Sequence, residues 1–277
     1  MTILVTGATG TVGRVVVNQL VAAGQQVHAL TRNPVSANLP DGVEVVTGDL
    51  AKPHQLADVL KGVDRAFYLP EVAELADARV FLELAELRRI VHLSGSAVTV
   101  RRPGSHEKLL EFEQAIEASG AEWTHVRPHE FAVNQIDVWA HSVRAENVIR
   151  NAYPDGIGVP VHEADIAEIA TIALLEDGHA GRAYTVTGPQ ALTHREQAAA
   201  VAEGLGRQIR FEAQTFGQAR RAYVEAGMPV EIADYILGYQ AEFAEEPPQV
   251  SPDFEQVTGR PGRTLAQWAN DHRADFS

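Results

Sequence analysis

The stretch TGATGTVG, residues 6–13, places Gly7, Gly10 and Gly13 three apart, directly after the apolar run Ile3-Leu4-Val5 and directly before a helical pattern. In such a strand–turn–helix, the first glycine permits the tight bend and the second lets backbone approach a pyrophosphate. The third lets helix and strand pack closely. The helix N-terminus, entered through Thr9, Thr11 and Val12, then offers open N–H groups and partial positive charge to phosphates. Three glycines without context also fit a plain tight turn. Here the flanking strand and helix favour a dinucleotide grip.

The rest of the first half agrees with that reading. Short β-branched runs at 2–6, 26–30, 43–47, 65–69, 90–94 and 123–127 alternate with helical patterns near 12–23, 55–60, 72–87 and 106–118. This alternation predicts an α/β fold, a doubly wound, mostly parallel Rossmann sheet. After Pro128 the texture changes: 129–160 is irregular and rich in polar and aromatic residues. A helix is expected over 165–175, a strand over 182–186, a helix over 193–203, and a mostly helical end interrupted at Glu246-Pro247-Pro248. The expected domains are therefore a nucleotide-binding domain over 1–128, with segments from about 157–190 returning to it, and a small, mainly helical substrate lobe over most of 129–277, folded over the open sheet edge.

Which dinucleotide is bound depends on the end of the second strand. An NAD site usually carries an acidic residue about 20 residues beyond the glycines to hold the ribose 2′-OH. Here the strand ends Ala29-Leu30-Thr31-Arg32-Asn33, with no carboxylate. Arg32 is placed to meet a 2′-phosphate and Thr31 to add a hydroxyl, so NADP(H) is expected over NAD(H); the alternative for Arg32 is a solvated surface arginine. Asp49, followed by Leu50, stands where it could accept a bond from the adenine amine, or equally could cap the next helix. Tyr68 and Leu69 end the fourth strand and would line the far side of the cofactor.

Composition narrows the partners. A formal charge of −14 and a sequence pI near 5.2 argue against nucleic acid or an anionic membrane surface. The absence of cysteine removes disulfides, thiolate nucleophiles and cysteine metal sites. No apolar run approaches the roughly 20 residues of a membrane span, and the opening apolar run is too short for a signal peptide, so a cytoplasmic protein is expected. His162-Glu163-Ala164-Asp165 lacks a second histidine at helical spacing, and no metal is assigned to it. A homodimer is left open.

Together, TGATGTVG, Thr31-Arg32-Asn33-Pro34, Gly48-Asp49-Leu50, Ile90-Val91-His92-Leu93-Ser94-Gly95 and the run from Ser119 to Pro128 resemble the NmrA-like atypical short-chain dehydrogenase/reductases. Phe131 and Asn134, Asp165-Ile166-Ala167, Thr187-Gly188-Pro189 and Thr258-Gly259-Arg260-Pro261 continue the resemblance over nearly the whole chain. It implies the fold strongly. For function it implies a range: NADPH-dependent quinone and carbonyl reductases, relatives acting on benzylic ethers and flavonoids, and NADP-binding regulators without turnover. Two departures stand out. The segment between the fourth and fifth strands is short, and His129-Glu130 replaces the family's small residues after Arg127-Pro128.

Carbonyl reduction needs a proton donor for the developing alkoxide. Short-chain dehydrogenases usually supply a tyrosine with a lysine four residues later, and a serine after the fifth strand. Ser94 occupies the serine's place, but no tyrosine lies between Tyr68 and Tyr153 and no Tyr-x-x-x-Lys exists in the chain. The remaining candidates follow Ser105, an expected helix N-cap. Lys108 falls close to where benzylic-ether reductase relatives carry a lysine, and His106 is its neighbour; both are equally read as solvated first-turn residues, and Lys108 could instead bond the nicotinamide ribose. An unperturbed histidine titrates near neutrality, and His129 reads either as a proton donor or as pocket wall. Trp139, Tyr153, Phe216, Tyr223, Tyr235 and Tyr239 are candidates for an aromatic-binding pocket or for core. The expected activity is NADPH-dependent reduction of a small aromatic or quinoid electrophile, a quinone, carbonyl, imine or activated double bond. The rival is a non-catalytic NADP(H) sensor.

Overall fold

The computed structural model describes residues 2–70, 73–102 and 106–277. The chain divides into two compact units, one comprising residues 1–128, 163–186 and 256–258, the other 129–162, 187–255 and 259–277.

The first unit is built on a parallel sheet of seven strands. They are β1 (Thr2–Val5), β2 (Gln26–Thr31), β3 (Glu44–Thr47), β4 (Val63–Tyr68), β5 (Arg89–Leu93), β6 (Glu122–Pro128) and a returning strand, Arg182–Val186. Their spatial order is β3-β2-β1-β4-β5-β6-returning strand, and every neighbouring pair is parallel. The order reverses direction at β1, which places the topological switch point at the glycine turn.

Period-two alternation divides the strands' side chains between two faces. Leu4, Ala66, Tyr68 and Ile90 join one core cluster with Phe81, Leu82, Phe112 and Ile116. Those last four come from α2 (Leu75–Ala85) and from α4 (His106–Glu117), which follows the short α3 (Ala97–Val100), whereas α1 (Thr11–Ala22) packs against the returning helix Glu163–Leu175. That helix has no basic residue in its last turn. Two strand arginines supply what it lacks. Arg65 donates to the carbonyls of Leu174 and Leu175, and Arg89 to those of Ala173, Leu174 and Glu176 and to the Asp177 carboxylate. Carbonyls left open by the helix end are thereby satisfied and its negative end is neutralised.

Two expected helices differ. Over 55–60 there is no α-helix: a 3₁₀ turn, Pro53–Leu56, is followed by turns. The segment is too short for the nucleation cost of an α-helix to be recovered. The helix expected over 72–87 runs Leu75–Ala85 and ends where Glu86 adopts φ 43°, a left-handed stop; Val72 lies outside the described residues, as does the expected N-cap Ser105.

The second unit is mainly helical, with helices Asn134–Glu146, His194–Leu205, Phe216–Glu225, Val230–Glu245 and Leu265–Asp271. Two small sheets brace it: Val148–Asn151 runs parallel to Arg210–Ala213, and Ile157–Gly158 antiparallel to Leu192–Thr193. Trp139, Trp268 and Phe276 anchor its main core, and Ala219, Tyr223, Ala233 and Leu237 form a second cluster. Trp139 and Tyr223 are thus core residues rather than pocket lining. Among the described residues, no helix is long and apolar enough to cross a membrane.

Candidate coenzyme site and reaction centre

The glycine turn is fixed by its own geometry. Gly7 sits at φ +60°, where an L side chain is strained. A Cβ on Gly13 would lie 2.1 Å from the Gly7 carbonyl oxygen and 2.7 Å from its carbon, so helix and turn meet at a distance only glycine allows. Gly10 is the N-cap of α1, and no side chain caps that helix. Its first N–H groups, those of Thr11, Val12 and Gly13, therefore point to the ligand side in the manner of a phosphate cradle. Thr6 holds the neighbouring edge: its buried hydroxyl bonds the Phe67 carbonyl at 3.3 Å and accepts the Leu69 N–H at 2.7 Å.

Beside the turn lies a cleft of about 270 Å³. It brings together Gly7, Thr9, Thr31, Arg32, Asp49, Leu50 and Leu69, all expected at the coenzyme. Leu30, Asn33, Ser36 and Gly48 complete the wall. Ser36 was not singled out from the sequence, since a serine in a loop carries no signal of its own. Thr31 Oγ1 accepts the Asn33 N–H at 3.2 Å, which turns the chain at the strand end. Asp49 does two things at once. One carboxylate oxygen accepts the Ala51 N–H at 3.0 Å while the residue lines the cleft. These groups fit an adenine dinucleotide: a glycine cradle for the pyrophosphate, a guanidinium at the ribose end, and an acidic acceptor beyond the third strand.

Tyr68 is elsewhere. Its ring is fully buried and stacks on Phe81 with centroids 4.8 Å apart, and burial pushes its phenol above the ordinary value. The alternation of β4 turns it into the core and leaves Leu69, one residue on, at the cleft.

Ser94 follows β5 and is nearly buried. Its hydroxyl donates to Glu113 Oε1 at 2.6 Å. Arg127, from β6, donates to both oxygens of the same carboxylate, at 2.9 and 2.6 Å. Burial alone would raise the Glu113 carboxyl, but its bonds with Arg127 and Ser94 outweigh that and hold it below the usual carboxylate range. Glu113 is therefore ionised and can only accept. The Ser94 proton is committed to it, leaving the serine's lone pairs for any ligand.

Two buried histidines adjoin this network. His125 Nε2 lies 3.3 Å from Glu117, and His125 Nδ1 lies 3.2 Å from His92 Nδ1. A carboxylate only accepts, so His125 carries its proton on Nε2 and its Nδ1 takes a hydrogen bond from His92. Burial pushes both imidazoles down, His92 well below its ordinary value. His92, His125 and Glu113 are close enough to suggest a metal centre. Three hydrogen bonds from a guanidinium and a hydroxyl already occupy that carboxylate's oxygens.

Lys108 is exposed in the first turn of α4, with no ion-pair partner among the described residues. His106, two residues earlier in the same turn, is half-buried. His129, the first residue of the second unit, is buried against Phe243 at 5.2 Å between ring centroids. A row of rings continues from there along one helix: Tyr239 lies 5.4 Å from Phe243, and Tyr235 5.8 Å from Tyr239. Tyr235 is 49% exposed and Phe243 only 9%. The spacing i, i+4, i+8 sets this row apart from the packing face formed by Ala233 and Leu237. Glu130 lies over Gly158, where a Cβ would come within 2.0 Å of its Oε1.

Known proteins extend this picture. A family model described as NAD(P)H-binding matches residues 7–177. The chain is 37% identical to (4-alkanoyl-5-oxo-2,5-dihydrofuran-3-yl)methyl phosphate reductase of Streptomyces griseus over 99% of both chains. It is 35% identical to NAD(P)H azoreductase of Xenophilus azovorans, again over 99% of each. Among solved structures, the triphenylmethane reductase of Citrobacter sp. complexed with NADP(H) shares the fold with a TM-score of 0.84 at 22% identity, covering 98% of this chain and 99% of that one. The cradle, the cleft and these full-length relationships lead to one conclusion: the chain belongs to the NAD(P)H-binding family of atypical short-chain dehydrogenase/reductases and is an NAD(P)H-dependent oxidoreductase.

Proposed function

We propose that this oxidoreductase prefers NADPH and reduces small aromatic electrophiles whose reduced form takes its proton from water, with quinones foremost. The observation that carries the reading is the Ser94–Glu113 bond of 2.6 Å. With the serine proton spent on an ionised carboxylate and no Tyr-x-x-x-Lys in the chain, the usual serine–tyrosine donor arrangement is missing. A simple ketone becomes a strongly basic alkoxide and needs such a donor. A quinone becomes a far less basic phenolate and does not.

NADPH, when bound, supplies the hydride. Gly7, Gly10 and the open N–H groups of α1 hold the pyrophosphate, Arg32 and Thr31 the 2′-phosphate, and Asp49 the adenine amine. Ser94 accepts a hydrogen bond from a donor on the ligand, and Lys108 supplies a positive charge from the start of α4. Within the second unit, the row Tyr235, Tyr239 and Phe243 offers a set of aromatic faces. The azoreductase relationship supports the same substrate class.

The test follows NADPH oxidation by its absorbance with purified protein and a panel of naphthoquinones, azo dyes and aryl ketones. Turnover of quinones well above that of ketones is expected. Equal turnover of ketones would overturn the donor argument, and NADPH that binds but survives the whole panel would overturn the substrate class.

A further inference from the structure

We propose that Arg14 is a second coenzyme-specificity residue, a positioning residue that shapes the 2′-phosphate pocket by holding the loop after β2. This rests on the NADPH preference proposed above. The side chain leaves the first turn of α1, and its guanidinium donates to three main-chain carbonyls: Asn38 at 2.5 Å, Ala37 at 3.1 Å and Thr9 at 3.3 Å. One acceptor belongs to the glycine turn and two to the loop, so one planar fork joins the pyrophosphate cradle to the segment that carries Arg32, Asn33 and Ser36.

The loop needs such a hold. Asn38 stands at φ +46°, a left-handed conformation that asparagine adopts more readily than other non-glycine residues, though less readily than the right-handed one. Ala37, next to it, is buried. Without the fork, the loop is free to relax from the left-handed turn, and Ser36 and Asn33 move away from the cleft they line.

Charge supports the same assignment. The chain carries 37 acidic against 23 basic residues, and many of its arginines are paired with carboxylates, Arg89, Arg127, Arg150 and Arg220 among them. Arg14 and Arg32 have no carboxylate partner among the described residues. Arg32 lines the cleft, and Arg14 bonds the carbonyl of Thr9 in the cleft wall, so two unneutralised guanidiniums serve one pocket and suit a dianionic phosphate. Arg14 spends its donors on carbonyls, so Arg32 makes the contact and Arg14 sets its geometry. Lysine at position 14 would retain the charge but lose the fork.

The experiment measures binding of 2′,5′-ADP and 5′-ADP by calorimetry to wild type, Arg14→Met and Arg14→Lys. Wild type should favour 2′,5′-ADP; if it does not, the NADPH preference itself fails, independently of Arg14. Given that preference, both variants should lose roughly 10-fold in affinity for 2′,5′-ADP, the scale of one charge-assisted bond. Binding of 5′-ADP should stay within about 2-fold and doubles as the control for folding. Equal losses on both nucleotides, or no loss, would overturn the proposal. Restoration by Arg14→Lys would also overturn it, because charge rather than the fork would then be what matters.

Discussion

Replacing Gly13 with alanine tests the claim that close backbone approach builds the coenzyme cradle. The added methyl would sit 2.1 Å from the Gly7 carbonyl oxygen, 2.7 Å from the Gly7 carbonyl carbon and 3.1 Å from the Ala8 Cα. The nearest of these falls about 1.3 Å short of ordinary contact, and all three are backbone atoms that cannot rotate aside. Overpacking of this kind costs typically 1–3 kcal/mol, and rigid neighbours place it near 3. Alanine returns about 1 kcal/mol through its higher helix propensity. The net is about 2 kcal/mol, or roughly 4–8 °C in melting temperature for a unit of this size. Relief of the clash moves the start of α1 away from the turn, so the N–H groups no longer converge on a pyrophosphate, and NADPH affinity should fall by more than about 10-fold. Gly48→Ala is the control. Its methyl would meet Leu56 Cδ2 at 2.4 Å and Leu30 Cδ1 at 2.7 Å, side-chain ends that can swing away, and less than about 1 kcal/mol is expected. Thermal melting compares the two variants, and a fluorescence titration with NADPH reads Gly13→Ala alone, since Gly48 itself lines the cleft. A Gly13→Ala protein that melts and binds like wild type would refute the packing argument, as would a Gly48→Ala protein that suffers equally.

Arg32→Ala should weaken NADPH binding by about 1–3 kcal/mol and leave NADH nearly unchanged; equal losses in a titration of both coenzymes would remove Arg32 from the 2′-phosphate. Glu113→Ala strands the Arg127 guanidinium and should cost about 3 kcal/mol in urea unfolding, against about 1 kcal/mol for Ser94→Ala. If the two cost the same, the Arg127 pairing does not dominate. Stability should also fall on acidification. Burial depresses His92, His125 and His194 below the ordinary 6.5, so the unfolded chain binds protons that the folded chain refuses. Their contribution is present above pH 6.5 and is lost as pH falls from there towards each folded value. Between pH 7.5 and 5.5 this amounts to about 1.4 kcal/mol for His92 and at most about 4 kcal/mol for the three. A urea midpoint that is flat or rises over that interval would show that these imidazoles are not held neutral.

The coenzyme grip was legible because its chemistry is local. Strand, turn and helix start lie within a dozen consecutive residues, and Gly7, Gly10 and Gly13 report backbone demands that no distant residue alters. The end of β2 was legible for the same reason: Thr31 and Arg32 stand at a fixed distance from the turn in a known strand order. The alternation of β-branched runs and helical patterns carried the parallel sheet, although it overcalled a helix at 55–60 where a 3₁₀ turn forms. Other assignments depended on which face a residue turns to. Tyr68 and Leu69 are adjacent in the chain, yet the period of the strand sends one into the core and the other to the cleft. Trp139 and Tyr223 went to cores, which residue type alone could not decide between core and pocket.

Ser94 shows the limit most clearly. Its position after the fifth strand was readable, but its role was not, because its partners Glu113 and Arg127 lie 19 and 33 residues further along the chain, on α4 and β6. Arg14 is the same case, since the carbonyls it grips become neighbours only when the loop after β2 folds back to the glycine turn. The sequence by itself determined the fold class and the coenzyme cradle, because a strand–turn–helix carries its own geometry. Tertiary structure decided the direction of each hydrogen bond around Ser94 and the hold on the loop at Arg14, because a donor's role depends on which acceptors the fold brings within reach.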